Sequence, residues 1–418
     1  MTSLERVCSE AKAASRVLAR LSAHEKAVAL GEMADAIERR ADEIQRENEQ
    51  DVAQARRERL APAAVDALLL DRDRIAELAA GVRRVGALPD PVGQVDHGWR
   101  MGNGLHITRV RVPFGVIAVV FEARPSVSAD AAALCLASGN AVVLRGSRAS
   151  RRSDRVLAEA MAGALIEAGL PQAAISVAGP GDDELAALLR LDRLVDVVIV
   201  RGGGELAATV AERSRIPIIV ASSGNNHVYV DASADLEMAV KIAVNAKVQR
   251  PGVASAAETL LVHRDAAPAF LPRAVQALRA QGVEVRLSPD GLEVLGDDVG
   301  RGVVAATETD YATEFLSLVI AVRVVDSLEA AVEHIARFGS GHSEAIVTGS
   351  LAAAEEFQET VDAACVYVNA STRFTDGGEF GMGAEIASST QKLHARGPIG
   401  LTELTTIKYL VSGDGQVR

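Results

Sequence analysis

From residue 115 onward the chain alternates short, near-continuous apolar runs with Ala-rich amphipathic segments. GVIAVVF (115–121), AVVLR (141–145), AISVAGP (174–180), DVVIVRGGG (196–204) and IPIIVAS (216–222) lack the polar alternation of a strand with one wet face. Strands buried on both faces read this way, and such strands belong to parallel sheets covered by helices. The segments between them, 128–138, 151–168 and ELAATVAERS, have helical spacing. This cadence predicts an α/β fold with a doubly wound sheet and ligand sites at the strand C-termini. A second block starts near Gly224. It runs through NHVYVD, DLEMAVKIAVNAKV, ETLLVH, a helix over 266–281, VEVRLS, VIAVRVVD, a helix over 328–338, AIVTG, a helix over 351–361 and ACVYVNA. Two α/β lobes of similar size are expected.

The first ninety residues are helical in period until Leu88-Pro89-Asp90-Pro91 stops them. Residues 94–100, the turn Met101-Gly102-Asn103-Gly104 and LHITRVRVP then predict a hairpin with one polar face, an arm suited to pairing with another subunit. A chain of 418 residues is expected to hold two or three domains. Its 44 Lys+Arg against 56 Asp+Glu give a net charge of −12, which excludes a general phosphate-backbone binder. Aromatic residues at 3% argue against stacking on bases. No apolar run reaches the ~18 residues of a membrane span, and the charged N-terminus lacks an apolar signal core. A cytoplasmic protein with neither nucleic-acid nor membrane partner is expected. The three cysteines form no CxxC or Cys/His cluster and the eight histidines no HExxH, so no metal site is expected.

Several loops carry chemistry. Arg201-Gly202-Gly203-Gly204 lies between a strand and a helix, where free backbone N–H groups favour an anion or cofactor; a tight glycine turn is the plainer alternative. Arg145-Gly146-Ser147 closes a strand, with Arg145 suited to a phosphate and Ser147 to a further hydrogen bond; a surface arginine beside a turn is the equal alternative. Lys247, Gln249 and Arg250 suit an acidic substrate, although a solvated helix end is the commoner reason for such residues. The loop containing Ser371, Thr372 and Arg373 has the makings of a carboxylate or phosphate cradle, the alternative being an ordered loop with no ligand. Glu314 is read as a ribose ligand or, more simply, a helix-cap carboxylate. His227 and His263 read as satisfied structural histidines, and His394 as a possible substrate contact. Cys8 is placed on a mobile N-terminal helix, Cys135 in an Ala-rich core helix and Cys365 in an apolar strand; none is assigned as a nucleophile.

The strings VPFGVIAVVFEARPSVSADAAALCLASGNAVVLRGS, NHVYVDASADL, ATEFLSL, HIARFGSGHSEAIVT and VNASTRFTDGGEFGMGAEI resemble the gamma-glutamyl phosphate reductase (glutamate-5-semialdehyde dehydrogenase) family of the aldehyde dehydrogenase superfamily. The resemblance runs from about residue 5 to the C-terminus. It implies a dinucleotide-binding domain over 1–93 and 113–223, a catalytic-type domain over 224–397, and an oligomerisation arm over 94–112 and 398–418. It further implies NADPH as cofactor, a homodimer or homotetramer, and reduction of L-glutamyl 5-phosphate to glutamate 5-semialdehyde on the route to proline. In the family a cysteine thiolate attacks the acyl phosphate, and the thioester is then reduced.

Carried onto this chain, the cofactor contacts fall on Arg145, Gly146, Ser147, Arg201, Gly202, Gly203, Gly204 and Glu314. The substrate contacts fall on Arg124, Lys247, Arg250, Asn369, Ser371, Thr372, Arg373 and His394. The chain departs from the family at the chemistry. Where the family string resembles RPGVCNAAETLLVH, this chain has Ala254 in place of cysteine and Ser255 in place of asparagine. The family's RPNV reads Arg124-Pro125-Ser126-Val127, which places Ser126 at an oxyanion donor, and GNCH reads Gly224-Asn225-Asn226-His227. Four local changes, at 126, 226, 254 and 255, point to a naturally divergent member. Ala254 has no lone pair, and Ser255 has no evident base in its loop. Three functions stay open at this point: the family's reductase; an acyl transferase that shields an aminoacyl phosphate, supplied by a glutamate-kinase-like partner, for attack by an amine; and a binding protein without turnover.

Overall fold

A computed structural model describes residues 2–296, 300 and 302–418. The chain divides into two compact units, one of 2–221 with 381–387 and 399–418, the other built from the described residues of 222–380 with 388–398. The first unit opens with α1 (Ser3–Leu18), α2 (Ala23–Arg39), α3 (Ala41–Arg57), α4 (Pro62–Leu68) and α5 (Arg72–Gly86). Thr2 with Glu5 and Ser22 with Glu25 form capping boxes that start α1 and α2. Cys8 is fully buried on α1 beside Leu4, Ala11 and Leu18. The expected mobile N-terminal helix is therefore corrected, because this helix carries an apolar stripe that has to be covered.

The chain continues through β1 (Val95–Arg100), β2 (His106–Pro113), β3 (Val116–Phe121), α6 (Ser126–Ala137), β4 (Ala141–Arg145), α7 (Arg151–Glu167), β5 (Ile175–Val177), α8 (Asp182–Leu188), β6 (Val197–Arg201), α9 (Gly204–Arg213) and β7 (Ile218–Val220). The 222–380 stretch holds β8 (Asn226–Val230), α10 (Leu236–Val248), β9 (Ala257–His263), α11 (Ala267–Ala280), β10 (Glu284–Leu287), α12 (Pro289–Leu295), β11 (Val303–Ala305), α13 (Glu308–Tyr311), β12 (Val319–Val325), α14 (Leu328–Phe338), β13 (Ser343–Val347), α15 (Leu351–Thr360) and β14 (Cys365–Val368). Two three-residue strands, β15 (Ala387–Ser389) and β16 (Gly397–Ile399), precede β17 (Thr405–Ser412).

In the first unit β5-β4-β3-β6-β7 form a parallel sheet, and in the second β11-β10-β12-β9-β8-β13-β14 form another. All residues of β3, β4 and β8 are buried, as expected of strands covered on both faces. The core of the second unit packs Val228, Leu260 and Val262 of the sheet against Phe270, Leu271 and Leu278 of α11. The hairpin pairs antiparallel, and β17 adds to β2 to give a third strand. This small sheet leaves Trp99, Ile407, Tyr409, Leu410 and Val411 exposed. No helix among the described residues is long and apolar enough to cross a membrane. No group of His, Cys, Asp or Glu among them could hold a metal ion.

Candidate active site

In the first unit the polar loops gather at the C-terminal edge of the sheet. Register pairs Val120 with Arg145 and Phe121 with Arg201, so β3, β4 and β6 end side by side. The strand order reverses between β3 and β6, the kind of switch point where α/β sheets take ligands. Arg145 is buried. Its Nη2 donates to the Pro180 carbonyl at 2.9 Å, Asp182 lies 3.7 Å away, and Nε is buried without a partner. Gly146 is glycine because a Cβ there would lie 2.0 Å from Asp154 Oδ2. Ser147 Oγ accepts the Ala123 N–H at 3.2 Å and so ties this loop to the one after β3.

The glycine turn before α9 already holds an anion: the Glu122 carboxylate accepts the Gly203 N–H at 2.7 Å. A Cβ on Gly202 would strike Leu206 and Glu122, whereas Gly204 faces open space. Arg201 is drawn electrostatically to Asp130 of α6, against the burial that opposes the charge on each. Ser126 is the first residue of α6 and is half-buried, while Arg124 is exposed.

Asp154 sits beneath these loops, accepting from Ser128 Oγ at 3.0 Å and Ser150 Oγ at 2.7 Å. Burial pushes its pKa from the ordinary 3.8 up to about 7. A carboxyl with a raised folded pKa stabilises the fold fully below its unfolded pKa, and that contribution is lost as pH rises through the folded one. The shift corresponds to about 4 kcal/mol over that window. Asp154→Asn is expected to flatten the decline of the urea midpoint between about pH 4 and about pH 7. An equally steep decline in the variant would show that Asp154 is not its source.

In the second unit Ala254, Ser255, Asn226, Glu314 and Arg373 meet at the other edge of the sheet. Ala254 lies in the loop before β9, and Gly224 and Asn225 lead into β8. The two backbones touch: a Cβ on Gly224 would stand 1.5 Å from the Ala254 carbonyl oxygen. Asn226 Nδ2 donates to the carbonyls of Ala254 and Ala256, each at 2.7 Å, and its Oδ1 accepts the Ser343 N–H at 3.1 Å. Asn226 thus fastens the starts of β8, β9 and β13 to the loop. Its amide is spent on backbone, not offered to a ligand. Glu314 Oε1 accepts the Gly224 N–H at 2.6 Å. Glu314 lies beyond the end of α13, so the helix-cap expectation is corrected.

The Ala254 methyl is half-buried, whereas Ser255 is buried with its Oγ held by the Arg373 guanidinium. Arg373 Nε also donates to Gln249 Oε1 at 2.8 Å. Lys247 corrects a second expectation. It is not at a solvated helix end but fully buried, with Nζ 2.6 Å from Glu258 Oε2, and it is not a free cation for a substrate. Arg250 and His394 are exposed. Asn369, at φ +55°, exchanges two hydrogen bonds with the Thr348 backbone at 2.9 and 3.0 Å. Ser371 Oγ accepts the Arg373 N–H at 3.3 Å, and Thr372 is buried with its hydroxyl unpartnered.

The Ala254 loop thus lies at the N-terminal edge of the second sheet, whereas Asn369, bonded to Thr348 beyond the end of β13, lies at the C-terminal edge. After β14 the chain doubles back, and Thr375 Oγ1 lies 2.6 Å from Ser343 Oγ at the start of β13. That return brings Arg373 onto Ser255. Cys365 does not fill the place of a nucleophile at 254, and burial disfavours the thiolates of Cys8 and Cys135. Cys8 and Cys135 are in the first unit's helices, and burial raises both pKa values, Cys8 to about 11. Cys365 pairs in register with Ser343, two strands from β8 and so about 10 Å away. Two buried pairs escaped sequence reading, Lys247–Glu258 and His227–Glu344 (Nδ1 to Oε2, 3.0 Å). Neither spacing carries a motif, and the second pair spans 117 positions.

Two parallel α/β units with glycine-bearing loops on one sheet and an Asn-fastened loop on the other define a class, and the model described as "Aldehyde dehydrogenase family" matches residues 2–290. The chain belongs to that family and, within it, to the gamma-glutamyl phosphate reductases. The gamma-glutamyl phosphate reductase of Thermobifida fusca is 51% identical, with 100% of each chain covered. That of Moorella thermoacetica is 51% identical over 98% of this chain and 97% of the relative. The crystal structure of the Thermotoga maritima enzyme of the same name superposes with a TM-score of 0.95 at 42% identity over 100% of both chains.

Proposed function

We propose that this chain takes L-glutamyl 5-phosphate and NADPH and yields glutamate 5-semialdehyde and phosphate, with no thioester formed at residue 254. The observation that carries this reading is the Ala254 loop. Asn226, Gly224 and Arg373 hold it in place and its side chain stays half-exposed, yet that side chain is a methyl. The relatives carry a reductase name, and neither transfer to an amine nor holding without turnover has a residue that argues for it.

The first unit suits a nucleotide. The orphaned, buried Arg145 Nε and the open Gly204 turn fit a phosphate-bearing group, with Glu122 yielding the Gly203 N–H to it. Bound NADPH supplies a hydride. Arg373 and Arg250 would meet the anionic ends of the substrate, and Ser126 would donate toward the developing oxyanion. The labile acyl phosphate has to come from a glutamate-kinase-like enzyme. The exposed apolar side chains of the β1-β2-β17 sheet suit pairing with a second copy, in a homodimer or homotetramer.

The test is NADPH consumption with glutamyl phosphate made in situ by a glutamate kinase and ATP, scored by semialdehyde and phosphate release. A slow, stoichiometric reaction is expected. Consumption no faster than with heat-inactivated protein overturns the reading. Arg145→Met is expected to weaken NADPH binding by about 10–100-fold, the worth of a charge-assisted hydrogen bond. Fluorescence titration checks this, and an unchanged affinity would remove Arg145 from the cofactor site.

A further inference from the structure

A cavity of about 520 Å³ opens in the second unit among residues 288–290, 306–311, 323–326 and 330–338. It is lined by none of the residues of the Ala254 loop. Its volume is that of ordinary small-molecule sites, about 300–1,000 Å³. Tyr311 and Phe338 flank His334, with ring centroids 5.1 and 4.7 Å from it. Arg323 lies over the Tyr311 ring at 5.4 Å, and its Nη1 stands 3.2 Å from His334 Nδ1. Arginine only donates, so Nδ1 accepts and the neutral imidazole carries its proton on Nε2. That Nε2 is buried and has no partner. Among the described residues no carboxylate forms an ion pair with Arg323, in contrast to Arg337, which lies 3.3 Å from Glu308.

The charges around the cavity select the ligand. Two exposed carboxylates, Asp290 and Glu333, stand in no ion pair among the described residues, and Asp326 is held by Arg264. A bare anion would meet four carboxylates against two guanidinium groups. A bare cation would find the Tyr311 and Phe338 rings already covered by Arg323 and Arg337. A molecule carrying both charges satisfies both sets.

We infer that this cavity binds a small zwitterion, an α-amino acid, whose carboxylate meets Arg323 and whose ammonium meets Asp290 and Glu333, and that its occupation is transmitted to the Ala254 loop. Two chains of contact carry the coupling. The carbonyls of Tyr311 and Phe338 both accept from Asn225 Nδ2, at 2.8 and 2.7 Å, and Asn225 follows the glycine that touches the Ala254 carbonyl. Separately, the His334 ring stands edge-on to His227 at 5.3 Å. His227 is bonded to Glu344 through Nδ1 and its backbone N–H, and the neighbouring Ser343 N–H donates to Asn226. A carboxylate that draws Arg323 away from His334 disturbs a wall that shares hydrogen bonds with the loop.

Calorimetry on the full chain tests this without acyl phosphate or nucleotide, so its outcome is separate from that of the reductase reading. The probes are L-norvaline, n-valerate (carboxylate alone) and n-butylamine (amine alone). Norvaline is expected to bind saturably with a Kd near or below about 1 mM, and each single-charge probe at least about tenfold more weakly. Arg323→Met is expected to weaken norvaline at least about tenfold. Glu333→Gln, a change at an exposed position that leaves the packing untouched, is expected to weaken it several-fold. Norvaline is also expected to slow hydrogen exchange at backbone amides of 224–226 and 254–257. Absence of binding, valerate binding as tightly as norvaline, or binding indifferent to both substitutions overturns the site. Binding with unaltered exchange overturns the coupling.

Discussion

Replacing Ala254 by cysteine is expected to raise the rate of glutamyl phosphate reduction by on the order of 10²–10³-fold. A thiol near neutral pH is a few per cent thiolate and is intrinsically nucleophilic. Its attack on the acyl carbon forms a thioester and expels phosphate. The frame for that attack is present: Asn226 holds the residue 254 carbonyl at 2.7 Å, and the side chain at 254 is half-exposed. The gain stays below the roughly 10⁶-fold that a native nucleophile is worth, because the surroundings have changed too. In the function proposed above, Ser126 takes the part that the resemblance gives to the family's longer asparagine, and an oxyanion donor is worth about 10²–10³-fold. Ser126→Asn is therefore expected to raise the rate both alone and when added to Ala254→Cys. Initial rates of NADPH oxidation check all three. Iodoacetamide should silence the cysteine variant and leave the parent untouched. A folded, iodoacetamide-reactive Ala254→Cys that turns over no faster than the parent would show that residue 254 does not face the acyl carbon.

The sheets of this fold were legible because their strands are buried on both faces. GVIAVVF and AVVLR announce themselves, and β3 and β4 occupy those runs. The three-residue β11, with two exposed residues, and the one-turn α13 carry no such pattern, and the sequence does not mark them. Lys247 shows what periodicity cannot supply. At the end of an amphipathic helix a lysine reads as solvated, and only the fold reveals that Glu258 of β9 waits for it in the interior. Glu314 is similar: its role as acceptor for the Gly224 N–H joins residues 90 positions apart. The edge of the second sheet at which Ser255 and Arg373 meet was unreadable for a topological reason. It depends on the chain doubling back after β14 to place Arg373 on Ser255, and no composition records a reversal of direction.

Removing one member of the buried Lys247–Glu258 pair is expected to cost about 3–5 kcal/mol of stability, the largest effect anticipated for any single substitution outside the chemistry. Both side chains are almost wholly buried, with Nζ and Oε2 2.6 Å apart. Burial lowers the Lys247 pKa and pushes Glu258 up to about 7, each opposed by the attraction of the other. In Lys247→Met that attraction is gone, so the Glu258 pKa rises further and the carboxyl is neutral in the fold but charged when unfolded. Its contribution is then present at acid pH and lost as pH rises through the folded pKa, so Lys247→Met is expected to be least damaging near about pH 5 and worst near about pH 8. Glu258→Gln leaves a buried ammonium instead. Lowered by burial and without a counter-charge, it gains stability as pH rises, giving the opposite slope. Replacing both, Lys247→Met with Glu258→Met, removes the charges together and is expected to recover most of the loss, because the desolvation penalty of a buried pair is comparable to its attraction. Urea unfolding of the four proteins at the two pH values decides the matter. A double variant as unstable as the worse single one would mean that the cost lies in packing around α10 and β9 and not in the orphaned charge.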